Sequence, residues 1–320
     1  MNVNYFFLWN YNKFPFVYSM MRKNERNILV INTQDCNDLH SSLLELKKLN
    51  KITDVILFKN STSEYLFNVL KRIFIYPFKK KNCGVNFYLD GFVGYYPLSL
   101  ANIGRPDQIF FYEEGESTYS KDVLFEKATK PTLKDTLNTF IKKVLFVQRN
   151  SINDISGFYV RDKIRLERVF SAKEDFKYNF PIFEIDDIEA IKNLSHYDKS
   201  IIKKIFFQDL DCTFSSQNSK KAIILTQPTY FYGIHSKEEL AALFNEQILK
   251  LKENGYEVYL KLHPREKEDI YIKDNVKRIN GKFPFELLAI YDIVFDVGLT
   301  YNSTAINSSL IKDKILISKL

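Results

Sequence analysis

The sequence has few cysteines, glycines and prolines, and each shortage excludes a class of protein. Its three cysteines, Cys36, Cys83 and Cys212, lie far apart and form no CxxC pair. This spacing argues against a disulfide framework and against a structural zinc site. With 10 glycines and 9 prolines in 320 residues, most of the chain is predicted to form ordered secondary structure. The cysteine usage suits a reducing cytoplasm.

Long hydrophobic runs are also missing. The apolar run Tyr5–Trp9 is five residues long and is followed by the polar Asn10. It is therefore too short for the core of a signal peptide or for a membrane span. Later parts of the sequence contain no uninterrupted apolar stretch of spanning length. We expect a cytoplasmic protein.

Acidic residues are outnumbered by basic ones, and the formal net charge is +7. A surplus of this kind favours anionic partners and by itself admits nucleotide sugars, anionic lipid and nucleic acid. The densest basic stretch, residues 71–81, brackets aromatic side chains with Lys and Arg. Such a stretch is typical either of peripheral contact with an anionic membrane surface or of a helix end and strand with solvated lysines.

The length of 320 residues and the apolar content of 45% are enough for two hydrophobic cores. Short β-rich apolar runs alternate with helix-length amphipathic segments, which predicts parallel sheets with helical crossovers. We predict a Rossmann-like domain over 1–150, a connection with short strands over 151–185, and a second Rossmann-like domain over 186–320. The strands predicted in the first domain are Tyr5–Trp9, Asn27–Asn32, Asp54–Lys59, Val85–Leu89 and Gln108–Tyr112.

The second domain contains the best-defined helix of the sequence, Ser236–Glu253. Ser236 and Glu239 have the spacing of a capping box, which marks where this helix begins. Shorter helices are predicted at Pro284–Tyr291 and Ser303–Leu310. The strands predicted in this domain are Ala222–Leu225, Glu257–Leu262, Val276–Ile279, Ile293–Val297 and Lys314–Ile317.

Neither domain contains a GxGxxG motif or a Walker loop, which argues against dehydrogenases and P-loop enzymes. The α/β architecture that remains is GT-B-like, with two Rossmann-like domains whose parallel sheets face a central cleft. Ligands of such sheets bind beyond the carboxyl ends of the strands. The candidate site residues are therefore those that directly follow a predicted strand.

Two adjacent carboxylates, Glu113 and Glu114, follow the predicted strand Gln108–Tyr112 and precede Gly115. Crowded like charges raise the pKa of at least one carboxyl group, which suits a general base that takes a proton from a sugar hydroxyl. A solvated acidic loop that caps the next helix is the alternative.

His263, Pro264 and Arg265 follow the predicted strand Glu257–Leu262. An imidazole at this position binds a nucleotide phosphate or protonates it as it leaves, and proline stiffens the turn. A satisfied surface histidine is the alternative. The other three histidines lie in polar helical or loop contexts that favour a structural role: His40, His196 and His235.

Two further turns supply polar groups after predicted strands. Ser303 and Thr304 begin a predicted helix, and hydroxyls beside the backbone N–H groups of a helix N-terminus make a phosphate site. Either residue is equally compatible with a plain N-cap. Thr226 and Gln227 form a polar turn that suits contact with a base or a ribose.

Asp209 and Asp211 match the Asp-x-Asp pattern by which another class of glycosyltransferases binds a divalent metal. The pattern is short and common by chance, and no further carboxylate or histidine cluster accompanies it. We therefore expect no metal site.

Taken together and in this order, the Glu-Glu-Gly, Thr-Gln-Pro, Lys-Leu-His-Pro-Arg and Asn-Ser-Thr segments resemble bacterial sialyltransferases of glycosyltransferase family 52, the lipooligosaccharide and capsule type. The resemblance covers most of the chain and is strongest from Thr226 to Leu320. In related families an acidic-acidic-glycine motif supplies the base, and a His-Pro motif and a Ser/Thr pair contact the CMP phosphate. The resemblance implies a metal-independent enzyme without a cofactor, with CMP-sialic acid as donor.

The resemblance also implies a role for each matching residue. Glu113 or Glu114 acts as the base, with Glu238 or Glu239 as alternatives. His263 binds or protonates the leaving phosphate. The implied donor-binding residues are Thr226, Gln227, Lys261, Pro264, Arg265, Ser303 and Thr304.

The reaction expected from this resemblance is inverting transfer of N-acetylneuraminic acid from CMP to a galactose-terminated capsule or lipooligosaccharide glycan. The C-terminal domain is expected to bind the donor, and the N-terminal domain to carry the base on the acceptor side. Another GT-B glycosyltransferase, a polyol-phosphate transferase and a lectin-like module are the alternatives. The expected partners are a nucleotide-sugar donor and a glycan or glycolipid acceptor, without nucleic acid. A homodimer and a peripheral contact with the inner membrane surface are left open.

Overall fold

This computed structural model describes residues 2–8, 10–33, 40–58, 84–90, 106–113, 115–119, 155–172, 177–207, 214, 219–266, 268–279, 281, 283–301 and 303–317. For six of these residues it describes the backbone alone: His40, Phe58, Glu116, Ser117, Tyr232 and Thr304. The chain divides into two compact units, Met1–Asp187 and Ile188–Leu320.

The first unit is built on a seven-stranded sheet in the order β3-β2-β1-β4-β5-β6-β7. Every neighbouring pair of strands is parallel. The central strands are buried along their whole length, which is why they read as continuous apolar runs rather than as alternating ones. The strands are β1 (Val3–Leu8), β2 (Arg26–Asn32), β3 (Asp54–Phe58), β4 (Val85–Asp90), β5 (Gln108–Tyr112), β6 (Gly157–Val160) and β7 (Ile182–Glu184).

The described helices of this unit are short. They are α1 (Phe14–Met20), α2 (His40–Leu43) and α3 (Lys163–Ser171), with 3₁₀ turns at Tyr11–Lys13, Leu44–Lys48 and Glu116–Tyr119. Asp162 caps α3 because its carboxylate accepts the backbone N–H of Arg165 at 2.8 Å, as an N-cap residue should.

Where it is described, the segment predicted as a connection over 151–185 contributes β6 and β7 to the first sheet. Gly157 shows why this pairing needs a glycine. A Cβ atom there would lie 2.7 Å from the ring of Phe183 and 3.2 Å from that of Phe110. Only a residue without a side chain lets the two rings close over β6.

The second unit has a five-stranded parallel sheet in the order β10-β9-β8-β11-β12. Its strands are β8 (Lys221–Leu225), β9 (Glu257–Lys261), β10 (Lys277–Ile279), β11 (Phe295–Thr300) and β12 (Ile311–Leu316). The remaining helices are α4 (Asp187–Lys192), which begins at the boundary between the units, α5 (His196–Phe206) and α6 (Lys237–Glu253), with 3₁₀ turns at Thr229–Tyr232, Phe285–Tyr291 and Thr304–Asn307.

Helix α6 confirms the predicted capping box. The Ser236 hydroxyl accepts the backbone N–H of Glu239 at 3.1 Å, and the Glu239 carboxylate accepts the backbone N–H of Ser236 at 2.7 Å. The apolar face of the helix, including Leu240, Phe244 and Ile248, packs on β8 and β9. This 3.6-residue periodicity is the signal by which the helix is predicted.

Several predicted elements in the second unit differ from the structure. The strand predicted over Ile293–Val297 is β11 and runs on to Thr300. The helices predicted at Pro284–Tyr291 and Ser303–Leu310 are 3₁₀ turns. Gly298 directly follows the predicted strand but lies inside β11. The position favours glycine because a Cβ there would lie 2.5 Å from the Ile311 side chain.

Candidate functional site

Three polar turns follow adjacent strands of the second sheet. Leu225 at the end of β8 pairs with Lys261 of β9 on one side and with Thr300 of β11 on the other. The turns that follow these strands therefore emerge side by side at the carboxyl edge of the sheet. Neighbouring parallel strands lie about 4.8 Å apart, so this edge can be spanned by one phosphate-bearing ligand.

His263 lies in the turn after β9. Its imidazole is half-buried, and its Nδ1 accepts the backbone N–H of Arg265 at 3.1 Å. A neutral imidazole whose Nδ1 accepts a hydrogen bond carries its proton on Nε2. Burial, aided by the positive charges of Lys261 and Arg265, lowers the pKa of His263 to about 4. The ring is thus a neutral hydrogen-bond donor at pH 7.

Thr226 lies beneath the His263 turn and is fully engaged by it. The buried hydroxyl donates to the carboxylate of Glu266 and accepts the backbone N–H of His263 at 3.0 Å. The backbone N–H of Thr226 donates to the Lys261 carbonyl at 3.1 Å. These contacts support the turn, and the predicted contact of Thr226 with the donor stays a prediction.

Glu266 is a residue that the sequence analysis missed. Its buried carboxylate accepts the hydroxyl of Thr226, the backbone N–H of His263 at 2.9 Å and the hydroxyl of Tyr271 at 2.7 Å. Burial and the Glu266 carboxylate raise the pKa of Tyr271, so its hydroxyl keeps its proton. The sequence signal for this network is the spacing of Glu266 three residues after His263, which permits a carboxylate cap of the turn.

Lys261 is buried rather than directed beyond the strand. Its Nζ donates to the Gly281 carbonyl at 3.1 Å and lies 5.4 Å from the centre of the Phe283 ring. Burial lowers its pKa to about 8, an effect that the Glu286 carboxylate partly offsets. Lys261 therefore adds positive potential to the carboxyl edge of the sheet, although its ammonium group stays buried.

The remaining predicted donor-binding residues differ in exposure. Gln227 is half-buried, whereas Pro264 and Arg265 are exposed. Ser303 occupies the N-cap position of the turn Thr304–Asn307 but makes no side-chain capping bond. The side chain of Thr304 lies outside the described residues.

Thr300 places the Ser303 turn. Its buried hydroxyl donates to the Leu225 carbonyl at 2.7 Å and accepts the backbone N–H of Ser303 at 3.0 Å. The turn that follows is a four-residue 3₁₀ turn, too short to carry a useful helix dipole. Any phosphate binding here therefore depends on hydroxyl and backbone N–H groups.

His235, given a structural role from the sequence, also lies near this edge. Its Nδ1 is 3.0 Å from the hydroxyl of Thr229, and its ring makes an edge-to-face contact with Tyr301 at 5.0 Å. Tyr301 directly follows β11, so His235 links the turns after β8 and β11. These contacts account for its position.

In the first unit, Glu113 follows β5 and is almost completely buried, with 2% exposure. Its carboxylate accepts the Tyr119 hydroxyl at 2.5 Å and the backbone N–H of Arg161 at 2.8 Å, and it is ion-paired with the Arg161 guanidinium. Arg161 also binds the buried Asp187 through two hydrogen bonds of 3.0 and 2.6 Å. Glu113 is therefore the centre of a buried ionic network that joins β5, β6 and the start of α4.

Glu114, the other predicted base, lies outside the described residues. Of the alternatives, Glu239 is engaged in the capping box of α6, and Glu238 is exposed in its first turn. Arg161, Tyr119 and Asp187 carry no motif in the sequence and were missed.

Within the described ranges, no group of three His, Cys, Asp or Glu side chains is arranged to hold a metal ion. Asp209 and Asp211 lie outside those ranges, so the expectation of metal-independent chemistry stays a prediction. No helix in the described part of the chain is long and apolar enough to span a membrane. The basic stretch 71–81 is not among the described residues.

The fold is similar to that of solved GT-B proteins. A 2,6-sialyltransferase from a Photobacterium species, solved with CMP and lactose, matches with a TM-score of 0.60 and 14% identity, over 97% of this chain and 70% of that one. A UDP-GlcNAc 2-epimerase from Methanocaldococcus jannaschii matches with a TM-score of 0.50 and 12% identity, over 96% of this chain and 80% of that one. These likenesses confirm the predicted GT-B class of two parallel-sheet α/β units.

Sequence comparison identifies the family. No curated protein matches the chain. The profile of the alpha-2,8-polysialyltransferase family matches residues 10–300. A sialyltransferase family is thus confirmed, whereas the narrower prediction of glycosyltransferase family 52 is not. The chain belongs to the alpha-2,8-polysialyltransferase family and is a glycosyltransferase.

Proposed function

We propose that this chain transfers N-acetylneuraminic acid from CMP to a glycan acceptor, with inversion and by direct displacement. The observation that carries the proposal is the orientation of His263. Its Nδ1 is occupied by the Arg265 backbone N–H, so Nε2 presents a proton at the edge where β8, β9 and β11 end. The family match supports sialic acid as the transferred sugar. The Nε2–H group of His263 is the proposed hydrogen-bond donor to the phosphate of the donor substrate.

In this proposal His263 acts as a neutral donor to the phosphate rather than as a general acid. A pKa of about 4 leaves the imidazole unprotonated at pH 7, which is unfavourable for proton transfer to a leaving group. The positive charges of Lys261 and Arg265 suit the phosphate monoester of the released CMP. The hydroxyl of Ser303 completes the set of donors that offset charge as the leaving group departs.

We assign the role of base to Glu114. The buried carboxylate of Glu113 is already engaged by Arg161 and Tyr119, whereas a general base must lie within hydrogen-bond reach of the acceptor hydroxyl. The acceptor oxygen forms a bond to the anomeric carbon as the bond from that carbon to the phosphate oxygen breaks. The electron pair goes to CMP, and the hydroxyl proton goes to Glu114.

The acceptor we propose is a surface glycan of the capsule or lipooligosaccharide type. The family description names an alpha-2,8 linkage, which supports a sialic-acid terminus. The Photobacterium enzyme was solved with lactose, which supports the galactose terminus expected from the sequence. We propose a cytoplasmic enzyme that meets its acceptor at the inner membrane face.

The test uses the purified 320-residue chain with a panel of donors and two acceptors. The donors are CMP-N-acetylneuraminic acid, UDP-N-acetylglucosamine, UDP-galactose and CDP-glycerol, and the acceptors are lactose and sialyllactose. We expect transfer from the CMP donor alone. Activity solely with UDP-linked or CDP-linked donors would overturn the proposal, and the acceptor that is extended decides between the two termini.

A further inference from the structure

The geometry points to Glu266 as a positioning residue of this site, which orients His263 by tying the turn after β9 to Thr226 and Tyr271. For its kinetic readout this inference rests on the proposed function. For its spectroscopic readout it rests on no function, because the orientation of a ring can be measured without substrate.

Separate segments of the chain meet at the carboxylate of Glu266. Oε2 accepts the hydroxyl of Thr226 and the backbone N–H of His263 at 2.9 Å, and Oε1 accepts the Tyr271 hydroxyl at 2.7 Å. Thr226 follows β8, His263 follows β9, and Tyr271 belongs to the chain that leads to β10. Glu266 thus fixes the His263 turn to two neighbouring segments.

The turn from His263 to Glu266 is closed by its own hydrogen bonds. The backbone N–H of Glu266 donates to the His263 carbonyl at 2.9 Å, and the backbone N–H of Arg265 donates to His263 Nδ1 at 3.1 Å. The carboxylate holds one end of this turn and the imidazole is held by the middle of it. Both ring orientation and tautomer therefore depend on the turn being closed.

Removing the Glu266 carboxylate affects two buried hydroxyl groups. Thr226 is 2% exposed and Tyr271 is 3% exposed, so neither hydroxyl can turn to water. Without Glu266 the Tyr271 hydroxyl loses this acceptor, and the Thr226 hydroxyl keeps a long contact of 3.4 Å to the Lys261 carbonyl. A buried donor without a good acceptor destabilises the fold around it. The turn would open to relieve this cost, and the imidazole would lose its bond to Arg265.

The kinetic experiment is a double-mutant cycle with CMP-N-acetylneuraminic acid as donor. Glu266→Ala should lower kcat by about 10–100-fold, the usual cost of a misplaced group. In a His263→Ala background the same change should have almost no further effect. Full additivity of the two losses would overturn the inference, because Glu266 would then act independently of His263.

Two variants serve as matched controls. Glu266→Gln should retain most of the activity, because its amide oxygen can accept from Thr226 and His263 while its NH₂ group donates to Tyr271. Glu268→Gln should behave as wild type, since Glu268 is exposed and pairs with Lys237 at 2.8 Å. An equal loss in Glu266→Gln and Glu266→Ala would show that the charge, not the orientation, is what matters, and would contradict the inference.

The spectroscopic experiment follows the His263 imidazole by ¹⁵N NMR through an acid titration without any substrate. The charged groups around the ring are Lys261, Arg265 and Glu266 itself. Removing a negative charge should lower the pKa of His263, whereas opening the turn exposes the ring and raises it. Glu266→Gln should therefore keep the low value, and Glu266→Ala should move it toward the ordinary 6.5.

The two experiments separate the two possible failures. If no donor is turned over, the proposed function fails, and the NMR titration still decides the role of Glu266. An unchanged pKa and tautomer of His263 in Glu266→Ala would overturn the positioning role even in an active enzyme. If Glu266→Ala does not fold, Tyr271→Phe and Thr226→Val each remove one donor and should give smaller shifts in the same direction.

Discussion

Two buried carboxylates, Glu113 in the first unit and Glu266 in the second, have similar surroundings but different partners. Each follows a parallel strand, and each accepts a tyrosine hydroxyl and a backbone N–H. For Glu113 this N–H comes from the turn after β6, and for Glu266 it comes from its own turn. Glu113 is also paired with the Arg161 guanidinium. The donors that reach Glu266 in the described residues are uncharged.

The difference shows how the same residue type serves two purposes. The guanidinium compensates the charge of Glu113, which is why the proposed role of base is given to its neighbour Glu114. Around Glu266 the uncharged donors fix a turn without adding a cation. The positive charges of Lys261 and Arg265 lie near the His263 turn and favour an anion there, in line with the proposed CMP leaving group.

The largest effect that separates the two units is expected at the proposed base. Glu114→Gln should lower kcat by about 10²–10⁴-fold, the typical contribution of a positioned base, without changing the melting temperature. Rates of donor turnover and a thermal melt measure the two quantities. Glu116→Gln, in the same acidic turn, is the matched control, and normal kcat in Glu114→Gln would remove the base from this position.

A large loss of stability should follow disruption of the ionic network in the first unit. Arg161→Met leaves Glu113 and Asp187 buried without their cation, which costs roughly 3–5 kcal/mol. The melting temperature should fall by about 10 °C, given a shift of ~2–4 °C per kcal/mol in a unit of this size. Arg168→Met, on the exposed face of α3, should change it little, and equal melting temperatures for the two variants would contradict the assignment.

A smaller, pH-dependent effect is expected at Lys261. Its folded pKa of about 8 lies below the ordinary value of 10.5, so between these pH values the unfolded chain holds a proton that the folded chain has released. Stability then rises with pH across this window, and the full cost of the buried charge is present below it. The gain is on the order of 2–3 kcal/mol.

Lys261→Met removes this titration and is compared with wild type at pH 7 and at about pH 10. The melting temperature of wild type should rise by several degrees relative to the variant, and saturating CMP should shrink the difference by supplying a counter-charge. Parallel pH profiles of the two proteins would show that Lys261 is not buried as a cation.

The smallest expected effect is that of a chelator. The carboxylates of Glu113 and Glu266 accept hydrogen bonds from N–H and O–H donors, so neither has the arrangement of a metal ligand. EDTA should leave transfer unchanged, and Asp209→Asn with Asp211→Asn should react at near-normal rates. Loss of activity in EDTA that Mn²⁺ or Mg²⁺ restores would favour the metal-dependent class of glycosyltransferases.

Much of the fold could be predicted because its signals are local. The capping box fixed where α6 begins, and apolar runs placed the cores of both sheets. Gly298 shows where such signals fail, since its lack of a side chain serves the contact with Ile311 rather than a turn. The helix predicted over Ser303–Leu310 is also wrong. The Thr300 hydroxyl holds the backbone N–H of Ser303, and a short 3₁₀ turn follows.

The sequence by itself determined that His263 and Glu113 follow strands, because apolar runs and the order of residues are local properties. Only the tertiary structure decided which groups those residues contact. Glu266 meets Thr226 across 40 residues of chain, and Arg161 meets Glu113 across 48. Such contacts form when parallel strands bring distant turns to one edge of a sheet, and no spacing within a single segment encodes them.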